Sequence, residues 1–436
     1  MDKKYDVVVI GGGTSGCAAA YTAGKLGLKT LIVEQGGCLG GAMTSGLVVP
    51  VMFTGDKLIN NDFYKTLISE MGKINAQVTY NGNSGWFNPE LLKIILDKMM
   101  SEANVDIIFN ANINNIVTDN KMIKSIDVAK ILSPYYDKIY TNNTIMNNNR
   151  LSVYIGAKYF IDATGDGNFS KKINCEILDD NSEFQPMSLR FIMSGVDSEK
   201  FANWIYQFDE DRNVTTVQKA DKYTYFSTAY TWDTDKHWAL APIFKRAISD
   251  NVLNERDCNY FQMFSVAGTP DAVAFNCPRV VENLNPCDVF DRTKALLAAR
   301  ASILRLSRFC IKYLPGFENA YVVNISDNLG VRVSNRIKGK YVYTIEDLKI
   351  GKTFEHPVLI STYPVDVHSK DKNASNLIQT GEYQLPIESL MSADYDNLYI
   401  VGRCLSADYL AQGALRVQAN CFSMGEGVAK HIFNNA

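Results

Sequence analysis

YDVVVIGGGTSG, residues 5–16, decides the fold of this chain. Its first half, Tyr5–Ile10, is a valine-rich apolar run that is typical of a buried parallel strand. The glycines that follow lead into Cys17–Leu26, whose alanines and apolar spacing predict a helix that ends at Gly27. Leu28–Val33 has the composition of a second buried strand. The three segments predict a strand–helix–strand unit of about 30 residues, the size of a right-handed parallel crossover.

Gly11, Gly13 and Gly16 have the spacing of a dinucleotide-binding turn. In such a turn the first glycine permits a tight bend, the second lets the backbone approach a pyrophosphate, and the third lets the helix pack on the strand. The N-terminus of the helix then offers free N–H groups and a positive dipole end to the phosphates. The candidate cofactor residues of this part of the chain are Gly11, Gly13, Thr14, Ser15, Gly16, Glu34 and Gln35.

Glu34 lies at the end of the second predicted strand, 18 residues beyond Gly16. A carboxylate at this position accepts hydrogen bonds from a ribose diol and disfavours a 2′-phosphate. The segment therefore predicts a site for FAD or NAD rather than for NADP. The alternative interpretation is a structural glycine turn followed by a surface glutamate.

The composition is that of a globular protein, with 436 residues, of which 46% are apolar and 11% aromatic. These fractions exclude intrinsic disorder, and the length predicts two or three domains. Lys and Arg number 44 and Asp and Glu 47, a net charge of −3 that argues against binding nucleic acid or an anionic membrane through bulk charge. The nine cysteines lack Cys-x-x-Cys spacing and the four histidines lack His-x-x-x-His spacing, so we expect no metal site. The first apolar run is too short for a signal peptide or a membrane span, and we expect a cytoplasmic protein.

The pattern of the chain changes twice after its first segment. Lys130–Asn149 is rich in asparagine and is predicted to be a loop insertion. Residues from about 183 to 388 show aromatic alternation and a long helix near Arg292–Leu314, without a second glycine-rich crossover. Asn397–Val401 and Ala414–His431 then predict a short strand and an apolar helix. This last pair would rejoin the N-terminal sheet and make the first domain discontinuous.

Several segments together resemble one known family, the FAD-dependent oxidoreductases of the glutathione-reductase-like superfamily. The resemblance is greatest to a group of bacterial flavoproteins with a glycine-rich loop after the acidic residue. It implies an α/β fold with a Rossmann-type FAD-binding domain, a three-layer unit with a parallel sheet, and an inserted α+β substrate domain. It divides the chain into residues 1–182 and 391–436 for the FAD domain and 183–390 for the substrate domain. The matching segments are Val8–Gly16, Val33–Gly46, Phe160–Gly167, Gly330–Asp347, Ser361–His368 and Asn397–Ala429.

The resemblance also implies which other residues contact FAD. The loop Gly37–Gly46 would run past the ribityl chain and the isoalloxazine, although a mobile surface loop is the alternative. Asp166 could hold the ribityl chain or a pyrophosphate-bound water, or could cap the next helix. A helix that begins near Gly413–Arg416 would direct its N-terminus at the pyrimidine edge, where negative charge develops on reduction; a solvated arginine is the alternative for Arg416. The further cofactor candidates are Gly40, Gly41, Ala42, Met43, Ala163, Thr164, Gly165, Asp166, Gly402, Arg403, Arg416 and Val417.

Three residues are candidates for the chemistry itself. His368 ends a Pro-Val-Asp-x-His pattern and could transfer a proton at the substrate, or have a structural role. Arg332 could bind a substrate carboxylate or pair with an acid in the core. Tyr409 stands where many members of the family have histidine, and tyrosine is a poor base at neutral pH. Cys38 and Cys404 fall in flavin-proximal motifs, either as a redox pair or as inert thiols.

The sequence thus predicts an FAD-dependent oxidoreductase that transfers a hydride equivalent between a small organic substrate and FAD. The electron acceptor or donor is not identified, and a homo-oligomer is compatible with the sequence. Two alternatives stay open at this point. One is a flavin monooxygenase, and the other is a regulatory or assembly protein that binds the nucleotide without catalysis.

Overall fold

A computed structural model describes residues 3–129, 152–178, 184–220, 222–231, 237–280, 282–368 and 376–435. The asparagine-rich stretch predicted to be a loop insertion, 130–149, and the predicted domain boundary at 182/183 lie outside the described residues.

The strands of the described residues are numbered in chain order. They are β1 Lys3–Ile10, β2 Thr30–Val33, β3 Gln77–Tyr80, β4 Asn83–Phe87, β5 Asp106–Ile108, β6 Ile113–Asp119, β7 Met122–Ala129, β8 Ser152–Asp162, β9 Met187–Ser188, β10 Phe191–Ser194, β11 Thr216–Ala220, β12 Tyr223–Thr231, β13 Tyr260–Val266, β14 Thr269–Phe275, β15 Arg279–Val280, β16 Tyr321–Ile325, β17 Pro357–Ser361, β18 Val365–Val367, β19 Asn376–Ile378, β20 Tyr383–Pro386 and β21 Leu398–Ile400.

The α-helices are numbered in the same way, and short 3₁₀ turns lie at Gly41–Met43, Glu255–Cys258 and Ile387–Leu390. The helices are α1 Thr14–Lys25, α2 Asp62–Gly72, α3 Pro89–Glu102, α4 Asn168–Lys172, α5 Ser198–Phe208, α6 Ala241–Ser249, α7 Val289–Tyr313, α8 Ile345–Lys349, α9 Tyr409–Leu415 and α10 Gln418–Asn435. No helix of the described residues combines the length and the apolar character needed to cross a membrane.

The N-terminal segment forms the centre of a seven-stranded sheet in the order β5-β2-β1-β8-β7-β6, with β21 also paired to β8. Strands β1, β2, β5, β8 and β21 run parallel, as the strand–helix–strand prediction requires. Val7 and Val9 pack into the core on one face of the sheet, and Val8 and Ile10 pack on the other. A sheet that is buried on both faces explains why its strands are continuous apolar runs rather than alternating ones. The predicted α/β fold with a parallel sheet is confirmed.

The C-terminal strand joins this sheet, with Leu398 beside Phe160 and Ile400 beside Asp162 in parallel register. Helix α10 packs closely on α1, because Gly425 has no side chain: a Cβ there would lie 2.1 Å from the carbonyl oxygen of Ser15. The prediction that the chain returns to its first sheet at the C-terminus is therefore confirmed.

Two elements differ from the sequence-based expectation. The apolar run Lys158–Ala163 predicts a strand, and the strand observed there, β8, begins earlier, at Ser152, because its first half pairs in antiparallel register with β7. The predicted single helix over 414–431 is two helices, broken at Arg416 and Val417. Asp408 starts α9 early by accepting a hydrogen bond from the Ala411 N–H (2.8 Å), and the side-chain amide of Asn420 donates to the carbonyl of Ala414 at the break (3.0 Å).

The central part of the chain forms a separate antiparallel sheet in the order β11-β12-β13-β14-β10-β16. One face of this sheet packs on helices α5, α6 and α7 through a phenylalanine-rich core. Phe191 stacks on Phe275 with ring centroids 4.3 Å apart, and Phe244 of α6 stacks on Phe309 of α7 at 4.5 Å. Tyr343 and Leu359, further along the chain, pack instead into the core of the first sheet.

Candidate active site

The glycine turn between β1 and α1 is built as its sequence predicts. Gly11 has a positive φ of 98° and donates to the carbonyl of Val33 (2.9 Å). A Cβ on Gly16 would lie 1.9 Å from the carbonyl oxygen of Gly11, so packing within the protein requires that glycine. A Cβ on Gly13 would meet only the carbonyl oxygen of Ala163, at 4.0 Å, and φ there is −75°. Because neither packing nor backbone conformation requires glycine at Gly13, the open space beside it fits a ligand that approaches the backbone.

Glu34 follows the neighbouring strand, β2, and is hydrogen-bonded to the same turn. Its two carboxylate oxygens accept hydrogen bonds from the N–H groups of Gly12 and Gly36, both at 2.6 Å. Gln35, the next residue, is exposed. The carboxylate is therefore fixed at the end of β2 beside the turn, which is the place where a ribose diol would be bound.

The turn after β8 is organised by Asp162 rather than by Asp166. Asp162 is fully buried and accepts hydrogen bonds from the backbone and hydroxyl of both Thr164 and Ser170 (2.7–3.0 Å). Thr164 in turn accepts from the N–H of Asn168, which begins α4 (3.0 Å). Capping of the next helix was one role predicted for Asp166. Thr164 and Asp162 accept hydrogen bonds from N–H groups of that helix instead.

Asp166 instead joins three distant parts of the chain. Its carboxylate forms ion pairs with Arg403 and, at 3.2 Å, with Arg292 of α7, and its carbonyl accepts from Asn335 (2.8 Å). Burial opposes ionisation of Asp166, but the charges of both arginines and hydrogen bonds from Ser334 and Arg403 lower its pKa to about 2. The Arg403 guanidinium lies over Gly165, where a Cβ would be 3.1 Å from Cζ.

The loop after β2 brings the other predicted cofactor residues to the glycine turn. Gly40 donates to the carbonyl of Gly12 (2.8 Å), and Ala42 is exposed. Met43 is fully buried in the first core, so its side chain fills the interior of the protein. From the C-terminal side, Gln418 at the start of α10 donates to the carbonyl of Val48 (2.8 Å).

Several buried polar atoms around these segments have no hydrogen-bond partner among the described residues. Leaving such atoms unpaired costs free energy, so a polar ligand that binds beside them would be stabilised by hydrogen bonds to them. A dinucleotide offers hydroxyls, phosphates and ring nitrogens that would satisfy them. The atoms are Ser15 Oγ, Gln418 Oε1, Arg403 Nε and Arg416 Nε.

His368 directly follows β18 and is held between two charged groups. Its Nδ1 is hydrogen-bonded to the guanidinium of Arg279, and its Nε2 lies 3.1 Å from Oδ2 of Asp366. A guanidinium only donates, so Nδ1 accepts and the proton lies on Nε2. Burial, together with the charges of Arg332 and Arg279, lowers the pKa of His368 well below its ordinary value, although Asp366 opposes the shift. The imidazole is therefore neutral at pH 7.

Asp366 stays ionised beside this histidine. Burial would raise its pKa, but the hydrogen bond from His368 and the charges of Arg416 and Arg332 hold the pKa well below its usual range. Arg416 also donates to the Asp366 carbonyl (2.7 Å) and to Oε1 of Gln185 (3.3 Å). The structure thus brings together three predicted site residues, His368, Arg332 and Arg416.

Tyr409 and the cysteines occupy different surroundings. Tyr409 is half-buried at the first residue of α9, a helix that packs on β18 where a Cβ on Gly413 would lie 3.2 Å from Val367. Cys38 lies 3.9 Å from the hydroxyl of Thr44, whereas the buried Cys404 donates to the carbonyl of Val401. All nine cysteines are free thiols, so Cys38 and Cys404 are not joined. The described residues contain no group of three or more His, Cys, Asp or Glu that could hold a metal.

Two buried arginines of this site were missed by the sequence analysis. Arg279 contacts His368, and the charge of Arg190 interacts with Arg279 and Arg416. Arg190 stands in the apolar run Met187–Met193, and a buried arginine in such a run is a signal that could have been used. Arg279 begins the two-residue strand β15, and no local pattern distinguishes it. Arg279 lies over the ring of Tyr260, with Cζ 3.8 Å from the centroid.

The comparison with known families identifies the chain. The sequence profile described as FAD dependent oxidoreductase matches residues 6–432. The chain belongs to this family. Its cofactor is FAD, as predicted, and the glycine turn, Glu34 and the unsatisfied polar atoms fit that group. When bound, FAD supplies the hydride acceptor or donor of the reaction.

Curated relatives match only a short part of the chain. Dihydrolipoyl dehydrogenase of Trypanosoma brucei brucei is 52% identical over 46 residues, which are 11% of this chain and 10% of that protein. Dihydrolipoyl dehydrogenase of Bacillus subtilis (strain 168) is 57% identical over 35 residues, 8% of this chain and 7% of that protein. The chain therefore spans about a tenth or less of the length of these relatives.

Solved structures match over most of the chain at low identity. A geranylgeranyl bacteriochlorophyll reductase-like protein from Thermoplasma acidophilum has 14% identity and a TM-score of 0.45, covering 100% of this chain and 79% of that one. A flavin-dependent brominase has 12% identity and a TM-score of 0.43, covering 99% and 79%.

Proposed function

We propose that this protein transfers a hydride equivalent between a small organic substrate and FAD, and that it belongs to the glutathione-reductase-like superfamily. The observation that carries the proposal is the position of Arg416. It stands at the break between α9 and α10, in a predicted cofactor motif, and it donates to Asp366 and Gln185 beside His368. One residue therefore connects the cofactor segment with a buried charged cluster that contains a histidine and a carboxylate.

On the cofactor side, each segment has a distinct role. The turn at Gly13 and the N-terminus of α1 would bind the pyrophosphate, and Glu34 would bind the ribose. The loop at Gly40 and Gly41 and the strand-end turn at Gly165 would line the remainder. The proposed FAD contacts are Gly11, Gly13, Thr14, Ser15, Gly16, Glu34, Gln35, Gly40, Gly41, Ala42, Ala163, Thr164, Gly165, Asp166, Gly402, Arg403, Arg416 and Val417. Met43 is not among them, because its side chain is buried in the core of the first sheet.

On the substrate side, Asp366 orients His368 and fixes its tautomer. The lone pair of the imidazole is then on Nδ1, the atom that accepts from Arg279. A substrate that binds the Arg279 guanidinium would replace its hydrogen bond to Nδ1. Nδ1 would then exchange a proton with the substrate, and Asp366 would stabilise the imidazole ring. Arg332 would bind the substrate, and the Tyr409 hydroxyl would donate a hydrogen bond rather than act as a base.

The arrangement of the chain is part of the same proposal. Residues 1–182 and 391–436 form the FAD domain, and residues 183–390 form the substrate domain. The return of β21 to the first sheet supports a discontinuous FAD domain, and the separate core of the antiparallel sheet supports a distinct central unit. Nine free thiols favour a reducing, cytoplasmic location. The electron partner is a separate molecule, and assembly as a homo-oligomer is compatible with the fold.

Anaerobic mixing tests this function. The flavin absorbance of the holoprotein is followed while a panel of small organic compounds is added without oxygen. Bleaching by one of them supports hydride transfer, and His368→Gln should keep FAD but slow bleaching by about 100-fold or more, in the range of general acid–base contributions. Reduction that requires a nicotinamide donor, followed by consumption of oxygen, would indicate a monooxygenase instead. His356→Gln is the matched control, because the side chain of His356 is 69% exposed.

A further inference from the structure

Buried arginines from distant parts of the chain converge beside His368. Arg190 precedes β10, Arg279 lies in β15 and Arg332 follows β16, and their exposed fractions are 7%, 6% and 6%. Arg416 approaches them from the cofactor side, through its hydrogen bonds to Asp366 and Gln185. Arginine is rarely buried to this degree unless it has an anionic partner.

Among the described residues, Arg190 and Arg332 have only neutral hydrogen-bond partners. Nε of Arg190 donates to the side-chain oxygen of Asn276 (2.9 Å). Nη1 of Arg332 donates to the carbonyl of Pro186 (2.8 Å) and to the hydroxyl of Ser188 (3.3 Å). Neither arginine forms an ion pair with any of the described residues. The nearby carboxylate, Asp366, faces His368 instead.

This arrangement leaves an excess of positive charge in the interior. Burial lowers the pKa of Arg190 to about 10, with added repulsion from Arg279 and Arg416. Burial and the charges of Arg279, Arg190 and Arg416 likewise lower the pKa of Arg332. Taking charges out of water without a counterion is costly, so a cluster of this kind destabilises the ligand-free protein. An incoming anion would offset that cost.

The surrounding residues make room for these guanidiniums. A Cβ on Gly330 would lie 2.5 Å from Nη1 of Arg190, so the glycine leaves the space in which the arginine sits. The side-chain nitrogen of Gln185 is buried and has no hydrogen-bond partner among the described residues. The side-chain oxygen of Gln185 accepts a hydrogen bond from the backbone N–H of His368 (3.1 Å). The cluster therefore offers an additional hydrogen-bond donor beside the cationic groups.

We propose that the substrate is a small organic carboxylate, whose carboxylate group binds to Arg190 and Arg332 beside His368. This inference rests on the proposed function, because it names the substrate class of the same site. The turn at Gly13 would hold the pyrophosphate of FAD, and Arg416 would be the residue that the cofactor site and the carboxylate site share. A planar guanidinium pairs with a carboxylate through two parallel hydrogen bonds, which suits recognition of a carboxylate by buried arginines.

Titration of the FAD-loaded protein with simple anions tests the substrate class. Succinate and benzoate are the carboxylate probes, their amides are the neutral controls, and inorganic phosphate is the alternative anion. Flavin difference spectra and Tm are recorded at constant ionic strength. A carboxylate should perturb the flavin spectrum with saturation and raise Tm, whereas its amide should do neither. Absence of saturable binding by either carboxylate, or binding by phosphate alone, would overturn the proposal.

Variants locate the site. Arg190→Gln and Arg332→Gln should each weaken carboxylate binding by about tenfold or more while FAD content stays at the wild-type level. Arg256→Gln is the matched control, because its side chain is 75% exposed and pairs with Glu282 at the surface. Equal binding by the variants and the wild type, or loss of FAD from both variants, would contradict the assignment.

The Tm of Arg190→Met, with and without carboxylate, distinguishes an anion-binding arginine from one with only a structural role. Removing an uncompensated buried charge should raise the Tm of the anion-free protein and abolish the further rise on adding carboxylate. A lower Tm for this variant would show that the charge stabilises the protein by itself, and would overturn the argument. Gly330→Ala is a second variant, since the added methyl displaces the Arg190 guanidinium, and it should weaken carboxylate binding in the same direction.

The outcomes separate this inference from the function on which it rests. If neutral compounds bleach the flavin without oxygen and carboxylates do not bind, hydride transfer stands and the carboxylate proposal fails. If carboxylates bind through Arg190 and Arg332 but no compound reduces the flavin, the binding site stands and hydride transfer fails.

Discussion

The ring nitrogen Nε2 of His368 lies 3.1 Å from Oδ2 of Asp366, two residues earlier in the chain. Strand β18 carries the carboxylate and ends just before the histidine, so the pair is fixed by local backbone geometry. With Arg279 on the other nitrogen, the imidazole is surrounded by charge on both sides and stays neutral. The pH dependence of stability follows from this position.

Stability should fall as the pH drops below about 6.5, the ordinary pKa of histidine. The folded-state pKa of His368 lies well below this value, so in that range the unfolded chain binds a proton that the folded chain does not. The free energy of unfolding therefore decreases toward acid, with a slope of at most about 1.4 kcal/mol per pH unit for this group. Urea unfolding of the wild type and of His368→Gln at pH 7 and pH 5 measures the effect.

The wild type should lose about 1–2 kcal/mol more than His368→Gln between those two pH values. His356→Gln serves as the control, since His356 is exposed and the variant should show the wild-type slope. Identical slopes for wild type and His368→Gln would show that the histidine is not held neutral.

The ion pair between Arg403 and Asp166 should couple the C-terminal turn to the turn after β8. Asp166→Ala should lower the free energy of unfolding by roughly 2–4 kcal/mol, because it leaves the mostly buried Arg403 without its partner. Arg403→Ala should lower it by less, because Asp166 keeps its ion pair with Arg292. The double variant should lose less than the sum of the two. Additive losses in chemical denaturation at pH 7 would contradict the coupling.

The contribution of Asp166 also has a predicted pH window. Its pKa is lowered to about 2, so its stabilisation is present above its ordinary pKa near 4 and is lost as the pH falls through about 2. The difference between wild type and Asp166→Ala should therefore be unchanged from pH 7 to pH 5. A difference that already shrinks within this range would show that the carboxylate is not stabilised by the arginines.

Two glycines of the same turn should respond differently to a methyl group. Gly16→Ala should destabilise the fold by roughly 3 kcal/mol or more, because the new Cβ would lie 1.9 Å from a backbone oxygen. Gly13→Ala should leave the free energy of unfolding of the apoprotein within about 1 kcal/mol and weaken FAD binding by about tenfold or more. Gly381→Ala is the control, because nothing lies within 4 Å of its Cβ position. Unchanged FAD affinity in Gly13→Ala would remove this turn from the cofactor site.

Much of the FAD domain could be predicted because its signals are local. The apolar run before Gly11 and the glycine spacing specify a buried strand, a turn and a helix within a few residues, and the structure has them at Lys3–Ile10 and Thr14–Lys25. Pro89–Glu102 is also predicted to be a helix, with Pro89 at the first helical position, and the structure has a helix over the same residues, capped by Asn88. The return of Leu398–Ile400 to the sheet was predicted for the same reason, a short apolar strand before a glycine.

The arginine cluster could not be predicted as a unit. Arg190 and Arg279 are separated by 89 positions or more from His368 along the chain, and only tertiary packing brings them to it. No local pattern shows which buried arginines come together in the folded chain. Likewise, Asp162 rather than Asp166 caps the helix after β8, because the choice between two carboxylates four residues apart depends on where the neighbouring arginines lie. Local signals thus predict elements, whereas the chemistry of the site depends on contacts between distant segments.

The cofactor content of the purified protein tests the account most directly. The visible spectrum is recorded, the protein is precipitated with acid, and both fractions are analysed by mass spectrometry. The account predicts a flavin spectrum and FAD at about one molecule per chain, as one dinucleotide turn requires. A colourless protein that also fails to take up added FAD would contradict it.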